Sequence, residues 1–176
     1  MRPNKLMGAV LFGSVALTGA IEGLRNDTYQ DMTGIPTACY GETEGISLDD
    51  SFSDEECAQM LAVSLSYHNE PFEELHYQLK PNIHIAVLDF TYNLGTNALR
   101  RSTLYYKLKN KQYICDEFNR WVYVGGKDCR VKKNNCYGIV KRRNIETQLC
   151  KNEISVKQAL SIMNKSKTDR EVIAHD

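Results

Sequence analysis

The sequence predicts one α+β domain, in which a small antiparallel sheet lies beside a mainly helical lobe. Residues 28–46 are rich in Gly, Thr and Tyr and lack a helical period, which indicates a hairpin or short meander. Much of the chain after them has apolar residues at helical spacing, punctuated by Gly and Pro. A chain of 176 residues is long enough to bury one core. We expect a cleft between the sheet and the lobe.

Capping residues and prolines mark the predicted helices. Ser53 and Glu56 form a capping box, which starts a helix that ends before Pro71. Pro81 opens a second, apolar helix, and Gly95 closes it. Further helices are expected over residues 103–109, 113–124, 139–151 and 156–163, with a polar loop over 125–135. Beyond residue 163 the polar tail is expected to fray.

Two carboxylates and a threonine stand in one short run at the start of the predicted sheet. Glu22, Asp31 and Thr37 form an E-x8-D-x5-T pattern. Hydrolysis of a glycosidic bond needs an acid that protonates the leaving oxygen and a second group that directs water to the sugar. A glutamate at the end of a helix, followed by a hairpin with an aspartate and a hydroxyl, supplies both groups.

The surroundings of this pattern resemble the phage-type lysozymes of glycoside hydrolase family 24. Gly23 follows the glutamate, and residues 34–45 continue as GIPTACYGETEG. Later segments follow in the family's order: YNLG at 92–95, RSTL at 101–104, WVYVGGK at 121–127 and GIVKRR at 138–143. The resemblance is greatest to phage endolysins that keep an uncleaved N-terminal membrane anchor. It implies a lysozyme-like fold and a muramidase activity that needs no cofactor.

The resemblance also implies roles for five residues. Glu22 is the general acid, and partial burial would give it the raised pKa that this role needs. Asp31 positions or activates the attacking water and Thr37 holds that water from the same side, which in the family goes with inversion at the anomeric carbon. Tyr92 is expected to stack on a sugar ring and Asn93 to hydrogen-bond an N-acetyl group. Ordinary core packing is the alternative for this last pair.

The N-terminal segment is apolar but short. Residues 6–21 read LMGAVLFGSVALTGAI and carry no charge, whereas a stable transmembrane helix needs about twenty apolar residues. Cleavage of a signal peptide after Ala20 would leave Glu22 with no helix to hold it. We therefore expect residues 1–21 to be an uncleaved signal anchor that holds weakly. An ordinary cleaved signal peptide and a buried core helix are the alternatives.

The six cysteines favour disulfide bonds. Their number is even and no pair has the CxxC spacing of a zinc or redox site, so an oxidising, exported compartment is expected and a metal is not. Six cysteines allow fifteen pairings, which sequence alone does not decide. We expect Cys39–Cys57, Cys115–Cys150 and Cys129–Cys136. Reduced, buried thiols are the alternative.

Charge is divided unevenly along the chain. Residues 22–74 hold thirteen acidic and one basic residue, whereas residues 100–143 hold thirteen basic and three acidic ones, although the net charge of the whole chain is zero. Two solvated faces that attract each other would explain this. A basic lobe that steers the enzyme to an anionic polymer or membrane is the functional alternative. No nucleic-acid module is recognisable in the basic stretch, so nucleic acid is not an expected partner.

These observations together predict a monomeric endolysin that lyses the host cell. Its muramidase would cut the β-1,4 bond between N-acetylmuramic acid and N-acetylglucosamine in peptidoglycan. Residues 22–152 would form the catalytic domain and residues 153–176 a polar tail. The enzyme would be exported to the periplasmic face of the inner membrane, a transient partner, and then released into the periplasm. Chitin hydrolysis by the same carboxylates and non-catalytic cell-wall binding are the alternatives.

Overall fold

The structure, a computed structural model, describes the backbone of residues 5–31 and 33–173. Side chains are described for residues 8–31 and 33–164. Residues 1–4 of the predicted anchor and 174–176 of the predicted tail lie outside the described residues. The chain divides into two compact units: residues 1–67 with 160–176, and residues 68–159. The predicted α+β class is confirmed, because the described elements are helices and two small antiparallel sheets.

The first unit contains the predicted hairpin. Its elements are α1 (Lys5–Glu22), β1 (Arg25–Gln30), β2 (Pro36–Cys39) and α2 (Asp54–His68), whose last residue belongs to the second unit. Strands β1 and β2 pair antiparallel, with Tyr29 opposite Thr37 and a register shift on the N-terminal side of Tyr29. The capping box at the start of α2 is also confirmed, since the Ser53 amide donates to the carboxylate of Glu56 at 2.8 Å.

One side of α1 is buried. The buried positions follow the spacing of one helix face: Val10, Ser14, Leu17 and Thr18. At Gly19 the helix touches its own unit so closely that a Cβ atom would lie 3.2 Å from the Tyr40 ring and 3.4 Å from a Leu61 methyl group. A larger side chain at Gly19 would therefore disturb this packing.

Helix α1 ends at Glu22 because of the glycine that follows. Gly23 has φ of +84°, and its amide donates to the carbonyl of Gly19 at 3.0 Å. A residue with a side chain is strained in this left-handed conformation, so a glycine here ends the helix with little strain. Over the residues that the structure describes, no helix combines the length and the apolar character needed to cross a membrane.

The second unit is mainly helical. Its helices are α3 (Glu70–Glu73), α4 (Pro81–Leu94), α5 (Thr96–Arg100), α6 (Thr103–Lys109) and α7 (Tyr137–Cys150), with 3₁₀ helices at Cys115–Arg120 and Lys132–Asn134. A small hairpin joins β3 (Tyr123–Val124) to β4 (Lys127–Asp128). Helix α8 (Val156–Ile173) begins in this unit and continues into the residues of the first.

Three predicted elements need correction. The helix expected over residues 113–124 is a 3₁₀ helix followed by strand β3, and the expected loop over 125–135 contains β4 and a second 3₁₀ helix. Gly125 and Gly126 both have positive φ, which forms the tight turn between the two strands. The tail expected to fray is helical to Ile173, because residues 156–173 contain no Gly or Pro.

Helices α4 and α7 form the core of the second unit. Every side chain of α4 from residue 84 to residue 91 is buried. Among them, Phe90 meets the rings of Phe118 and Trp121 edge to face, with ring centroids 5.5 and 5.4 Å apart. The Trp-containing segment is therefore fixed against α4 by aromatic packing.

The three expected disulfide bonds are confirmed. Cys39–Cys57 joins β2 to α2 within the first unit. In the second unit, Cys115–Cys150 joins the first 3₁₀ helix to the end of α7, and Cys129–Cys136 closes the loop before α7.

We expect acid to destabilise the fold through His84. Its side chain is 8% exposed, its Nε2 lies 2.6 Å from Oδ1 of Asn69, and burial lowers its pKa from 6.5 to about 4. Between these values the unfolded chain takes up a proton that the folded chain does not. Neutral His84 therefore makes its full contribution to the free energy of unfolding above pH 6.5. This contribution is lost as the pH falls to 4, which lowers the free energy of unfolding by about 3 kcal/mol.

Urea unfolding between pH 7 and pH 4 measures this loss. The variant His84→Gln keeps a donor for Asn69 and does not titrate, so its free energy of unfolding should fall less with pH than that of the wild type. Equal slopes in the two proteins would show that His84 is not the responsible group.

Candidate active site

Glu22 is the last residue of α1, and two residues separate it from the start of β1. The predicted helix end is therefore correct. Its side chain is exposed, so the partial burial that we expected for a general acid is not observed. The side chain is thus open to a substrate at the junction of the helix and the hairpin.

Asp31 follows β1 and is held by the turn of the hairpin. Its Oδ1 accepts hydrogen bonds from the Thr33 amide at 2.8 Å, the Thr33 hydroxyl at 2.8 Å and the Ile35 amide at 2.9 Å. These donors, the Ile35 amide above all, lower the pKa of Asp31 below its ordinary value of 3.8. Because hydrogen bonds to the charged form favour it, Asp31 is a carboxylate at neutral pH.

Thr37 lies in β2 and is attached to the same turn. Its side chain is buried, and its hydroxyl donates a hydrogen bond of 2.9 Å to the carbonyl of Ile35. Since the proton of the hydroxyl points at Ile35, the oxygen keeps its lone pairs for an outside donor. The amide of Ile35 holds Asp31 and its carbonyl holds Thr37, so one residue fixes both predicted side chains.

Sequence reasoning did not find the role of Ile35 or of Thr33. Ile35 acts through its backbone, for which no side-chain signal exists. The Asp-x-Thr-Gly run at residues 31–34 was the available signal, because an aspartate in a turn often binds the backbone two residues further on.

Tyr92 and Asn93 stand in the last turn of α4, within the second unit. The Tyr92 ring lies 5.2 Å from the His68 ring, between centroids. Asn93 is half-buried, and its Oδ1 accepts a hydrogen bond from Nη2 of Arg143 in α7. This hydrogen bond between Arg143 and Asn93 was not predicted from the sequence. The cleft expected between sheet and lobe stays a prediction.

The chemistry available on the hairpin is that of water activation. An ionised carboxylate and a hydroxyl with free lone pairs both accept hydrogen bonds from water, and an exposed glutamate at the helix end can give a proton. In the described part of the chain, no group of three or more His, Cys, Asp or Glu side chains is arranged to hold a metal ion. These features, on this fold, are those of a lysozyme-type glycoside hydrolase.

Comparison with known proteins identifies the family. The sequence model of the phage lysozyme family matches residues 19–146. A SAR-endolysin of Bacteriophage PS119 is 30% identical over 159 residues, covering 81% of this chain and 87% of the relative. The chain belongs to the phage lysozyme family and is a glycoside hydrolase.

Solved structures show the same fold. An endolysin from Escherichia coli O157:H7 phage FAHEc1 superposes with a TM-score of 0.67 at 22% identity, covering 88% of this chain and 96% of the other. The active form of the P1 phage endolysin Lyz superposes with a TM-score of 0.68 at 21% identity, covering 81% of this chain and 85% of the other. The predicted lysozyme-like fold is thus confirmed.

Proposed function

We propose that this enzyme is an endolysin: a muramidase that hydrolyses the β-1,4 bond between N-acetylmuramic acid and N-acetylglucosamine in peptidoglycan and so lyses the host cell. The observation that carries the proposal is the attachment of Asp31 and Thr37 to opposite ends of one residue, Ile35. The attachment of both side chains to Ile35 supports a shared role in which they hold one water molecule. The names of the endolysin relatives and neighbours support the same activity.

Each catalytic residue has one task in this proposal. Glu22 gives its proton to the glycosidic oxygen as the bond from that oxygen to the anomeric carbon breaks. Water held by Asp31 and Thr37 attacks the anomeric carbon, and its surplus proton passes to Asp31. A carboxylate with a lowered pKa is a weak base, so Asp31 acts chiefly by orienting the water and by stabilising the positive charge on the sugar. Tyr92 stacks on a sugar ring and Asn93 binds an N-acetyl group.

The proposal extends to export. The relatives named SAR-endolysins support a signal-anchor-release route, in which the anchor first holds the enzyme in the inner membrane and is then released with it into the periplasm. Residues 1–21 would be the anchor, uncleaved, and residues 22–152 the catalytic domain. The buried face of α1 supports a released form in which the former anchor packs within the folded enzyme. The released enzyme acts on peptidoglycan as a monomer.

Gly8 offers a clean test of the anchor. A Cβ atom at Gly8 would meet nothing within 4 Å, so Gly8→Leu adds apolar surface for the membrane-bound form without a clash in the packed form. We expect this variant to stay longer with the membrane and to lyse cells later than the wild type, because a leucine favours insertion. Gly19→Leu would not be informative, since it also disturbs the contact with Tyr40.

Induced Escherichia coli cells provide the measurement: the time of lysis, and the share of enzyme that sediments with membranes. Gly8→Ser is the matched control, since it adds a side chain of opposite polarity at the same place and should release the enzyme sooner. Unchanged timing and membrane share in Gly8→Leu, or a released enzyme whose N-terminus is Ile21 or later, would contradict the anchor proposal. Activity of the purified enzyme on peptidoglycan tests the muramidase proposal separately.

A further inference from the structure

Four charged side chains are buried between α4 and α7. Each is at most 4% exposed: Asp89, Arg142, Arg143 and Glu146. Asp89 accepts two hydrogen bonds from Arg142, at 2.9 and 3.0 Å. Nη1 of Arg143 lies 3.0 Å from the carboxylate of Glu146. Nε of Arg142 also lies 3.7 Å from Glu146, so the four side chains form one cluster in which each arginine has an acidic partner.

Arg143 differs from Arg142 in reaching Asn93. Its Nη2 donates a hydrogen bond to Oδ1 of Asn93. A guanidinium group has only donors, so the end of the asparagine amide that faces Arg143 must be the oxygen. The amide nitrogen, Nδ2, therefore points away from Arg143. No described residue accepts a hydrogen bond from Nδ2, although Asn93 is only half-buried.

The guanidinium group of Arg143 is fixed from several sides. Its Cζ lies 4.8 Å from the centroid of the Phe90 ring, and its Nη1 forms an ion pair with Glu146. Phe90 is in turn held by the edge-to-face contacts with Phe118 and Trp121. A fully buried arginine held in this way cannot follow an amide that turns over, so it imposes one orientation on Asn93.

We infer that Arg143 is a positioning residue that makes Asn93 present its amide nitrogen, a donor, to the carbonyl oxygen of a substrate N-acetyl group. The inference rests on the proposed function, which places a sugar at Asn93. The two orientations of the amide are nearly equivalent in shape, so without Arg143 the acceptor could face the substrate in place of the donor. The fixed donor selects against a sugar with a free amine, because an ammonium group is itself only a donor.

Asn93→Asp tests the role of the donor. Aspartate has nearly the shape of asparagine and keeps an acceptor for Arg143, but it lacks the amide nitrogen. We expect the unfolding temperature to stay near that of the wild type, because the carboxylate still accepts from Arg143 and forms an ion pair with it. The preference for N-acetylated over de-N-acetylated substrate should fall by roughly tenfold to a hundredfold or reverse, since the carboxylate accepts from an ammonium group.

Arg143→Lys tests the positioning, with Arg142→Lys as its matched control. Both variants keep a positive charge beside a buried acid and should lose similar stability. Only Arg143→Lys removes Nη2, the nitrogen that donates a hydrogen bond to the oxygen of Asn93. We expect Arg143→Lys to raise KM for N-acetylated strands several-fold with little change in kcat, and Arg142→Lys to leave both near their wild-type values.

The substrates are peptide-free glycan strands from peptidoglycan, either fully N-acetylated or chemically de-N-acetylated, and the release of reducing ends gives kcat and KM. Loss of discrimination in Asn93→Asp, with a raised KM in Arg143→Lys alone, would support the inference. A wild-type preference retained in both variants, or an equal rise of KM in Arg142→Lys, would overturn it while leaving the muramidase proposal intact. A wild-type enzyme that cleaves neither strand would overturn both.

Discussion

Glu22→Gln is expected to lower the rate of peptidoglycan hydrolysis by at least about 10²–10⁴-fold, the usual contribution of a general acid. The amide keeps the shape of the carboxyl group and has no acidic proton to give to the leaving oxygen. Because Glu22 is exposed at the end of α1, the unfolding temperature should stay close to that of the wild type. Loss of turbidity of purified peptidoglycan measures the rate.

Asp27→Asn is the matched control for this prediction. Asp27 is an exposed carboxylate on β1 that lies outside the catalytic pattern and accepts a hydrogen bond of 2.8 Å from Ser51. Its loss should leave most of the activity. If Glu22→Gln kept more than a small fraction of the wild-type rate, the assignment of the acid would be wrong.

Loss of the three disulfide bonds is expected to remove most of the net stability of the fold. The sequence separations of 18, 35 and 7 residues correspond to about 3, 4 and 2 kcal/mol in the chain-entropy model. The sum of these three contributions is similar in size to a typical net free energy of unfolding, roughly 5–15 kcal/mol. The reduced enzyme should therefore be largely unfolded or close to it at 37 °C.

Alanine replacement of one cysteine pair at a time ranks the bridges. The free energy of unfolding should fall most without Cys115–Cys150 and least without Cys129–Cys136, because the first closes the longest loop and the second the shortest. Urea unfolding of the three double variants provides the ranking. Six reactive thiols in denatured protein taken from the periplasm would show that the bridges do not form there.

Features controlled by adjacent residues were predictable from the sequence. The capping box of Ser53 and Glu56, the proline that opens α4 and the glycine after Glu22 each act within one turn of helix. The 3₁₀ helix at Cys115–Arg120 was not predictable as such, since its period is set by the packing of Phe118 and Trp121 on Phe90. Tertiary contacts overrode the helical pattern there.

In the candidate site, too, some features were predictable from the sequence and others depend on tertiary contacts. The composition of residues 28–46 predicted a hairpin that carries Asp31 and Thr37, and the structure places Asp31 directly after β1 and Thr37 in β2. Both side chains bind the backbone of Ile35, and the residue type at position 35 does not indicate these contacts. Arg143 and Asn93 are 50 positions apart, and their contact arises only when α7 packs on α4. Neither periodicity nor motif spacing encodes such a pair.

The most direct test of the central claim is the chemical nature of the ends that the enzyme creates in purified peptidoglycan. Mass spectrometry of the soluble fragments, before and after borohydride reduction, identifies the sugar at each new reducing end. We predict N-acetylmuramic acid with a free hemiacetal, formed by the addition of one water molecule per bond cut. Reducing N-acetylglucosamine, an anhydro sugar without added water, or cut peptide bonds with intact glycan strands would contradict the assignment of this chain as a muramidase.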